Sequence, residues 1–425
     1  MAVESTQINS PKMNFTVSGI LKWLILCCAI GLLSGTSSAI FLLSLDYVSQ
    51  LQNKIPGIYF SLPLGGLFIG YMYFRGPKEA SDGNNTIFKE FKNGNSKTSI
   101  LMAPMVYLGT LITHFLGGSA GREGTAVQMS TSIADQFSRF VNFNSTDRKI
   151  LLCIGISGGF ASVFGTPIAG AIFALEILTF QKFPYKFIIP SFITALIAHF
   201  CCTHFLNVEH SEYHLFSHTP ITINNLLLII LASISFGFAA QLFAFFANLF
   251  STFAKAITQN NVIKPVIGGL ILVVLYTAFN CKAYYGLGLK GIETSFFIPL
   301  RDMNFLIKII LTSFTLAFGF KGGEVTPLFY IGATLGNYLF QWVPLPLDLL
   351  AALGFVAVFA GATHSVFASS AMAFELFGIE HLHYFIIACF IANLFSGKHG
   401  IYESQDSFMQ KIKFPSIEKL LKLRN

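Results

Sequence analysis

The chain has 425 residues, of which 53% are hydrophobic and only 11% charged, and its mean hydropathy is +0.64. Soluble domains carry about a quarter charged residues. An ordinary soluble enzyme or binding module is therefore excluded, and an all-α polytopic membrane protein is expected. Much of the net charge of +7 lies in "KIKFPSIEKLLKLRN", where Lys411, Lys413, Lys419, Lys422 and Arg424 face one acid, Glu418. The positive-inside rule makes that tail cytoplasmic, and orientation explains it without nucleic acid as a partner.

In chain order, a cytoplasmic N-terminal segment is expected over 1–18, with Lys12 and Lys22 ahead of the first span. Apolar stretches follow at 21–48, 58–73, 100–116 and 187–205, then at 226–253, 262–279, 306–318 and 384–395. A helix needs about 20 residues to cross a bilayer. Several stretches reach that length, and others are short or broken by Gly and Pro. Stretch 21–48 is too long and begins too late for a signal peptide, so it reads as a permanent span. The seven cysteines lack metal-ligand spacing and read as small hydrophobes. Between the two groups of spans, "HFLNVEHSEYHLFSH" carries His204, His210, His214 and His218. An extramembrane loop with solvated histidines is expected there, with a metal site as the lesser reading.

The chain repeats itself. "GGFASVFGTPIAGAIFALE" at 158–176 resembles "GFVAVFAGATHSVFASSAMAFEL" at 354–376. Upstream of each lies a glycine-flanked glutamate followed two residues later by threonine: Glu123 and Thr125 in "GREGT", Glu324 and Thr326 in "GGEVT". Glu123 precedes Glu176 by 53 residues, and Glu324 precedes Glu375 by 51. Two homologous halves are expected, a transmembrane repeat over 19–205 and another over 226–410. A polar segment at 206–225 separates them, and the basic tail at 411–425 follows. Duplicated halves with interrupted helices are a transporter architecture.

Glycine-rich breaks open helices at "SDGNNTIF", "GSAGREGTA" and "FKGGEVTPLF". Each offers free backbone N–H groups at a positive helix end, and three such ends converging inside a bilayer make an anion site. The glycines Gly83, Gly121, Gly124, Gly322 and Gly323 let backbone approach a ligand closely. A glutamate at such a place can fill the anion site when ionised and leave when protonated, which makes Glu123 a gate and a proton carrier. Adjacent residues on a helix do not face each other. Arg122 is therefore expected to brace the loop or add positive potential rather than pair with Glu123.

"GREGT", "SVFGTPIAGAIFALE" and "GGEVTPLF" together resemble the CLC family of chloride channels and proton-coupled anion exchangers, over about residues 20–410. The resemblance implies a homodimer in which each subunit holds its own anion pathway between two inverted-topology repeats of tilted and broken helices. It makes Glu123 the external gate and Tyr402, in "SGKHGIYES", the central tyrosine that donates to the anion. Departures from the chloride pattern narrow the reading. Asn84 stands where chloride members have serine, Thr125 where they have proline, and Ile177 where proton-coupled members have an inner glutamate. Together with Glu324 and Thr326 as pathway residues, these departures resemble the fluoride-exporting branch.

Fluoride is small and strongly hydrated, so its site must supply close, strong donors: the Asn84 amide, the Thr326 and Tyr402 hydroxyls, and helix ends. Phe88, one turn past Asn84, can present a positive ring edge. Asp82 and Glu90 flank the same loop, with structural and proton roles both open. A proton-coupled fluoride antiporter of the cell membrane, with both termini cytoplasmic, is expected. The alternative is a chloride/proton exchanger or chloride channel of the same fold. No metal or cofactor is expected. An intramembrane enzyme would rest on Thr363-His364-Ser365 alone, because the equivalent break at Gly165-Thr166-Pro167 has no histidine. A sodium-coupled carrier would want carbonyl-rich cation sites rather than helix N-termini.

Overall fold

Hydrocarbon cannot satisfy backbone polar groups, so a chain this apolar must pair them within helices. The protein is described by a computed structural model over residues 17–93, 98–141, 143–179, 185–279 and 281–402. Among the described residues there are seventeen α-helices and no strand. The N-terminal segment through residue 16 and the basic tail at 411–425 lie outside them.

The first series is α1 (Val17–Lys54), α2 (Leu62–Arg75), α3 (Lys78–Ser81), α4 (Asn84–Asn93), α5 (Met102–Phe115), α6 (Glu123–Phe140), α7 (Ser145–Phe164), α8 (Pro167–Thr179) and α9 (Tyr185–Phe200). The second is α10 (Ile223–Ile257), α11 (Ile263–Phe279), α12 (Leu289–Phe297), α13 (Asn304–Ala317), α14 (Val325–Leu339), α15 (Leu347–Thr363), α16 (Val366–Phe377) and α17 (Leu382–Phe395). Order and length recur. The opening helices have 38 and 35 residues, and the helices before each glycine loop have 14 and 14.

Contacts between the series are reciprocal. Glu375 accepts hydrogen bonds from the amides of Ile168 (2.8 Å) and Ala169 (2.7 Å) at the start of α8. Glu176 does the same for Phe367 (3.1 Å) and Ala368 (2.8 Å) at the start of α16. Equivalent residues exchanging equivalent bonds are what a twofold relation between the halves produces. Each carboxylate satisfies orphan donors at a positive helix end. The ends of α8 and α16 are thereby already occupied by carboxylates.

Among the described residues only α1, α9 with its continuation to Phe205, and α10 are long and apolar enough to cross a bilayer alone; other apolar helices there have 10–17 residues. The shorter helices stop inside the protein and need terminators there. Gly165 ends α7 in the left-handed region at φ 77°, and His364 ends α15 likewise at φ 55°. Small residues let the helices approach closely, the usual device where lipid removes the hydrophobic drive for association. At the α14–α15 crossing, a methyl group on Gly332 would sit 2.0 Å from the Gly354 carbonyl oxygen, and the reverse holds for Gly354.

Candidate anion site

Three glycine-rich breaks meet at the junction of the two series. In the second and third, Gly121 donates to the Gly323 carbonyl at 2.6 Å, and Gly323 donates back at 2.8 Å. The approach leaves no room for side chains. A methyl group on Gly124 would lie 3.2 Å from Gly323 Cα and 3.1 Å from Asn84 Nδ2. The starts of α4, α6 and α14 are thus held together by missing side chains.

Glu123 is the first residue of α6 and is 1% exposed. Its carboxylate turns to the other half. Oε2 accepts from the Thr326 amide at 3.0 Å and the Arg122 amide at 3.1 Å, and Oε1 accepts from the Thr326 hydroxyl. A carboxylate therefore occupies the positive N-terminus of α14, where an anion would bind. Pro327, next in the first turn of α14, has no amide hydrogen to leave unpaired there.

Arg122 differs from its expected role. Its Nε lies 3.6 Å from Glu123 Oε1, within ion-pair distance though too long for a hydrogen bond. The helix-spacing argument against a pair fails because Arg122 is the cap, outside the helix proper, at φ −119°.

Glu324, the equivalent residue, does not mirror Glu123. It stands at the N-cap position of α14 and is half-buried. Tyr402 is buried and within electrostatic reach of both Glu324 and Glu123. Its ring lies 5.1 Å from that of Phe88, which joins the first break to the tyrosine. Asn84 opens α4 after Gly83, at φ 57°, and its Oδ1 is buried without a hydrogen-bond partner. Thr125 turns away, sharing a 2.7 Å hydrogen bond with Thr110. Gly322, at φ 154°, packs against Ala120.

The two residues left open by the sequence have structural partners. Asp82 pairs with Lys89 at 2.8 Å on the surface. Glu90 meets Arg148 at 3.3 Å, and Arg148 donates to both oxygens of Asp135 at 2.9 Å. At the place of the inner glutamate, Ile177 is buried. Thr363, His364 and Ser365 form a helix end: His364 Nε2 faces the Lys398 carbonyl at 3.4 Å, and the two hydroxyls bond to each other.

The polar segment between the series is not simply a solvated loop. His204, His214 and His218 are exposed, with His218 paired to Glu380. His210 is half-buried and donates to the Ser162 carbonyl at 2.9 Å. From 211 to 219 exposure alternates, so Ser211, Tyr213, Leu215, Ser217 and Thr219 turn inward as a strap. Among the described residues no group of three or more His, Cys, Asp or Glu could hold a metal ion.

Two cavities meet at Arg122, and the smaller of them reaches Glu123. A vestibule of about 550 Å³ has Asp46, Arg122, Lys282 and Lys290 in its wall, a cationic surplus that draws anions. A chamber of about 20 Å³ touches Glu123 and Thr326 and shares Arg122 and Leu289 with the vestibule. Ser211 and Tyr213 of the strap complete its wall. Sequence reasoning missed both residues; the in–out alternation of "SEYHLFSHT" was the available signal.

Broken helices that meet N-terminus to N-terminus around a buried carboxylate define a membrane protein that handles anions. Residues 65–397 match the family described as voltage gated chloride channel, and the chain belongs to that family. It is 39% identical over 411 residues to a chloride/fluoride channel protein of Pseudomonas syringae pv. tomato, covering 95% of this chain and 91% of that protein. Its fold is similar to that of a CLC-type fluoride/proton antiporter, with a TM-score of 0.89, 32% identity, and coverage of 93% of this chain and 100% of the other. A slow cyanobacterial Cl⁻/H⁺ antiporter matches at TM-score 0.76 and 16% identity, covering 88% of this chain and 94% of the other.

Proposed function

We propose that this protein is a proton-coupled fluoride antiporter that exports fluoride from the cytoplasm. The observation that carries the reading is the Glu123 carboxylate on the amide and hydroxyl of Thr326. Ionised, the side chain fills the anion site; protonated, it loses its advantage there and yields to the anion, carrying a proton as it moves. The fluoride/proton antiporter with which this chain shares 32% identity supports fluoride as the ion. So do Asn84 in the first break and Glu324 in the third.

In this reading Asn84, Gly83, Phe88, Thr326 and Tyr402 line the anion pathway, and Glu324 acts with Glu123 in proton transfer. Arg122, Gly121, Gly124, Thr125, Gly322 and Gly323 support the site. The protein is a transporter of the inner membrane rather than an enzyme, a homodimer with one pathway per subunit and both termini cytoplasmic. Its organisation is an N-terminal segment at 1–18, repeats at 19–205 and 226–410 around the strap at 206–225, and a tail at 411–425.

The test is transport in liposomes loaded with fluoride or chloride, with external pH recorded. Fluoride efflux is expected to be much faster than chloride efflux and to drive proton uptake. Equal rates would remove the fluoride assignment and favour a chloride/proton exchanger of the same fold.

A further inference from the structure

The chamber against Glu123 is closed on its far side by the strap, a segment that belongs to neither series of helices. Its volume of about 20 Å³ matches one water molecule, which needs roughly 10–15 Å³ of such space and two to four polar partners. Glu123, Thr326, Arg122, Ser211 and Tyr213 supply polar groups, while Phe164, Phe329 and Phe355 supply apolar wall. Tyr213 is held firmly: its ring lies 5.3 Å from those of Phe296 and Phe355. Its phenol lies near the Ser211 side chain, within electrostatic reach of Arg122, Glu123 and Glu293. The strap itself is fixed on both sides of Tyr213. His210 bonds to Ser162, and the amides of Phe216 and Ser217 donate to Asp348 at 2.8 and 3.0 Å.

We propose that Tyr213 and Ser211 hold a single water against Glu123, and that protons pass between the vestibule and Glu123 through it. The inference rests on Glu123 as proton carrier and adds the route by which that proton arrives. The step is a proton relay. A proton from vestibule water moves to the chamber water, which releases another to the Glu123 carboxylate, and the Tyr213 and Ser211 hydroxyls orient the water. No electron changes hands. Hydroxyls suit the task because each both donates and accepts. Tyr213 and Ser211 are positioning residues: they act through the water on Glu123.

The experiment uses the full chain in fluoride-loaded liposomes and measures fluoride-driven proton uptake. Tyr213→Phe keeps the ring packing and removes the hydroxyl; Ser211→Ala removes the other hydroxyl. Each is expected to slow proton uptake roughly tenfold or more, less than the ~10²–10⁴ of a group that transfers the proton itself, because these hydroxyls act through the water. Tyr213→Ala removes the ring from the chamber wall and enlarges the chamber, and is expected to restore much of the rate, because several mobile waters replace the single held one. Wild-type rates in both Tyr213→Phe and Ser211→Ala overturn the proposal. Tyr213→Ala as slow as Tyr213→Phe does so too, since the ring would then matter only for packing. Glu123→Gln separates the two layers of argument. Proton uptake surviving in Glu123→Gln removes the proton-carrier reading and this route with it. Uptake lost there, with wild-type rates in the strap variants, removes only the water route.

Discussion

The starts of α6 and α14 descend from one pattern and do opposite things. Each has glycine, glutamate and threonine in the same order. In the first, Glu123 sends its carboxylate across the junction and Thr125 is tied to Thr110 in its own half. In the second, Thr326 receives the carboxylate with both its amide and its hydroxyl, while Glu324 stands at the N-cap position of its own helix, half-buried and without a side-chain capping bond. One helix end therefore offers donors and the other supplies the carboxylate that takes them. Two carboxylates seated symmetrically would repel across a low-dielectric gap. The broken symmetry leaves one carboxylate across the junction and the other in its own half.

The largest effect is expected from the residue that crosses between halves. Glu123→Gln is nearly isosteric and cannot ionise, so proton uptake driven by a fluoride gradient is expected to vanish. Fluoride itself either leaks, if the amide leaves the site, or stops, if the amide stays. Wild-type turnover should rise as pH falls, because the ionised carboxylate competes with the anion, and Glu123→Gln should lose that dependence. Proton uptake persisting in this variant would mean that another residue carries the proton, with Glu324 the next candidate.

A smaller effect separates the paired residues. Glu324→Gln is expected to cut transport sharply while the protein purifies normally; wild-type transport would make Glu324 a packing residue. For the threonines, Thr326→Val removes a donor to a charged group, worth ~1.5–3 kcal/mol, and should change fluoride turnover by roughly ten- to a hundredfold. Thr125→Val should leave turnover near wild type and cost about 1 kcal/mol of stability, through the lost bond to Thr110. Equal effects of the two valines on transport would erase the asymmetry.

The smallest effect concerns the strap. Burial pushes the His210 imidazole down to about 4, with Arg122 and His199 as positive neighbours acting the same way and the bond to Ser162 opposing them. Its folded value lies below the ordinary 6.5, so the unfolded strap binds more protons in between. The contribution of His210 is complete above 6.5 and is lost as pH falls toward 4. Hydrogen exchange of the strap amides should accelerate over that window in the wild type and lose the dependence in His210→Gln. A flat wild-type profile would mean that the other anchors suffice.

Much of this was legible because it is local. A glycine break before an apolar helix announces a buried helix end wherever it occurs, and a duplicated pattern announces two halves. Glu123, Glu324 and the three breaks could therefore be named directly. The roles of Asp82 and Glu90 could not, since their partners Lys89 and Arg148 are decided by how surfaces meet. The Arg122 pair was misjudged because a helical rule was applied to a cap, and caps obey loop geometry.

By itself the sequence determined membrane residence, duplication and the places where helices break, because composition and glycine act on the backbone nearby. It could mark Glu176 and Glu375 as landmarks of a repeat. Only the tertiary structure decided that each caps the other repeat's helix, that Glu123 bonds to Thr326 rather than remaining in its own half, and that Tyr213 closes the chamber above it. Those contacts join residues far apart in the chain. Their geometry follows from the packing of whole helices across a twofold relation, which no local pattern encodes.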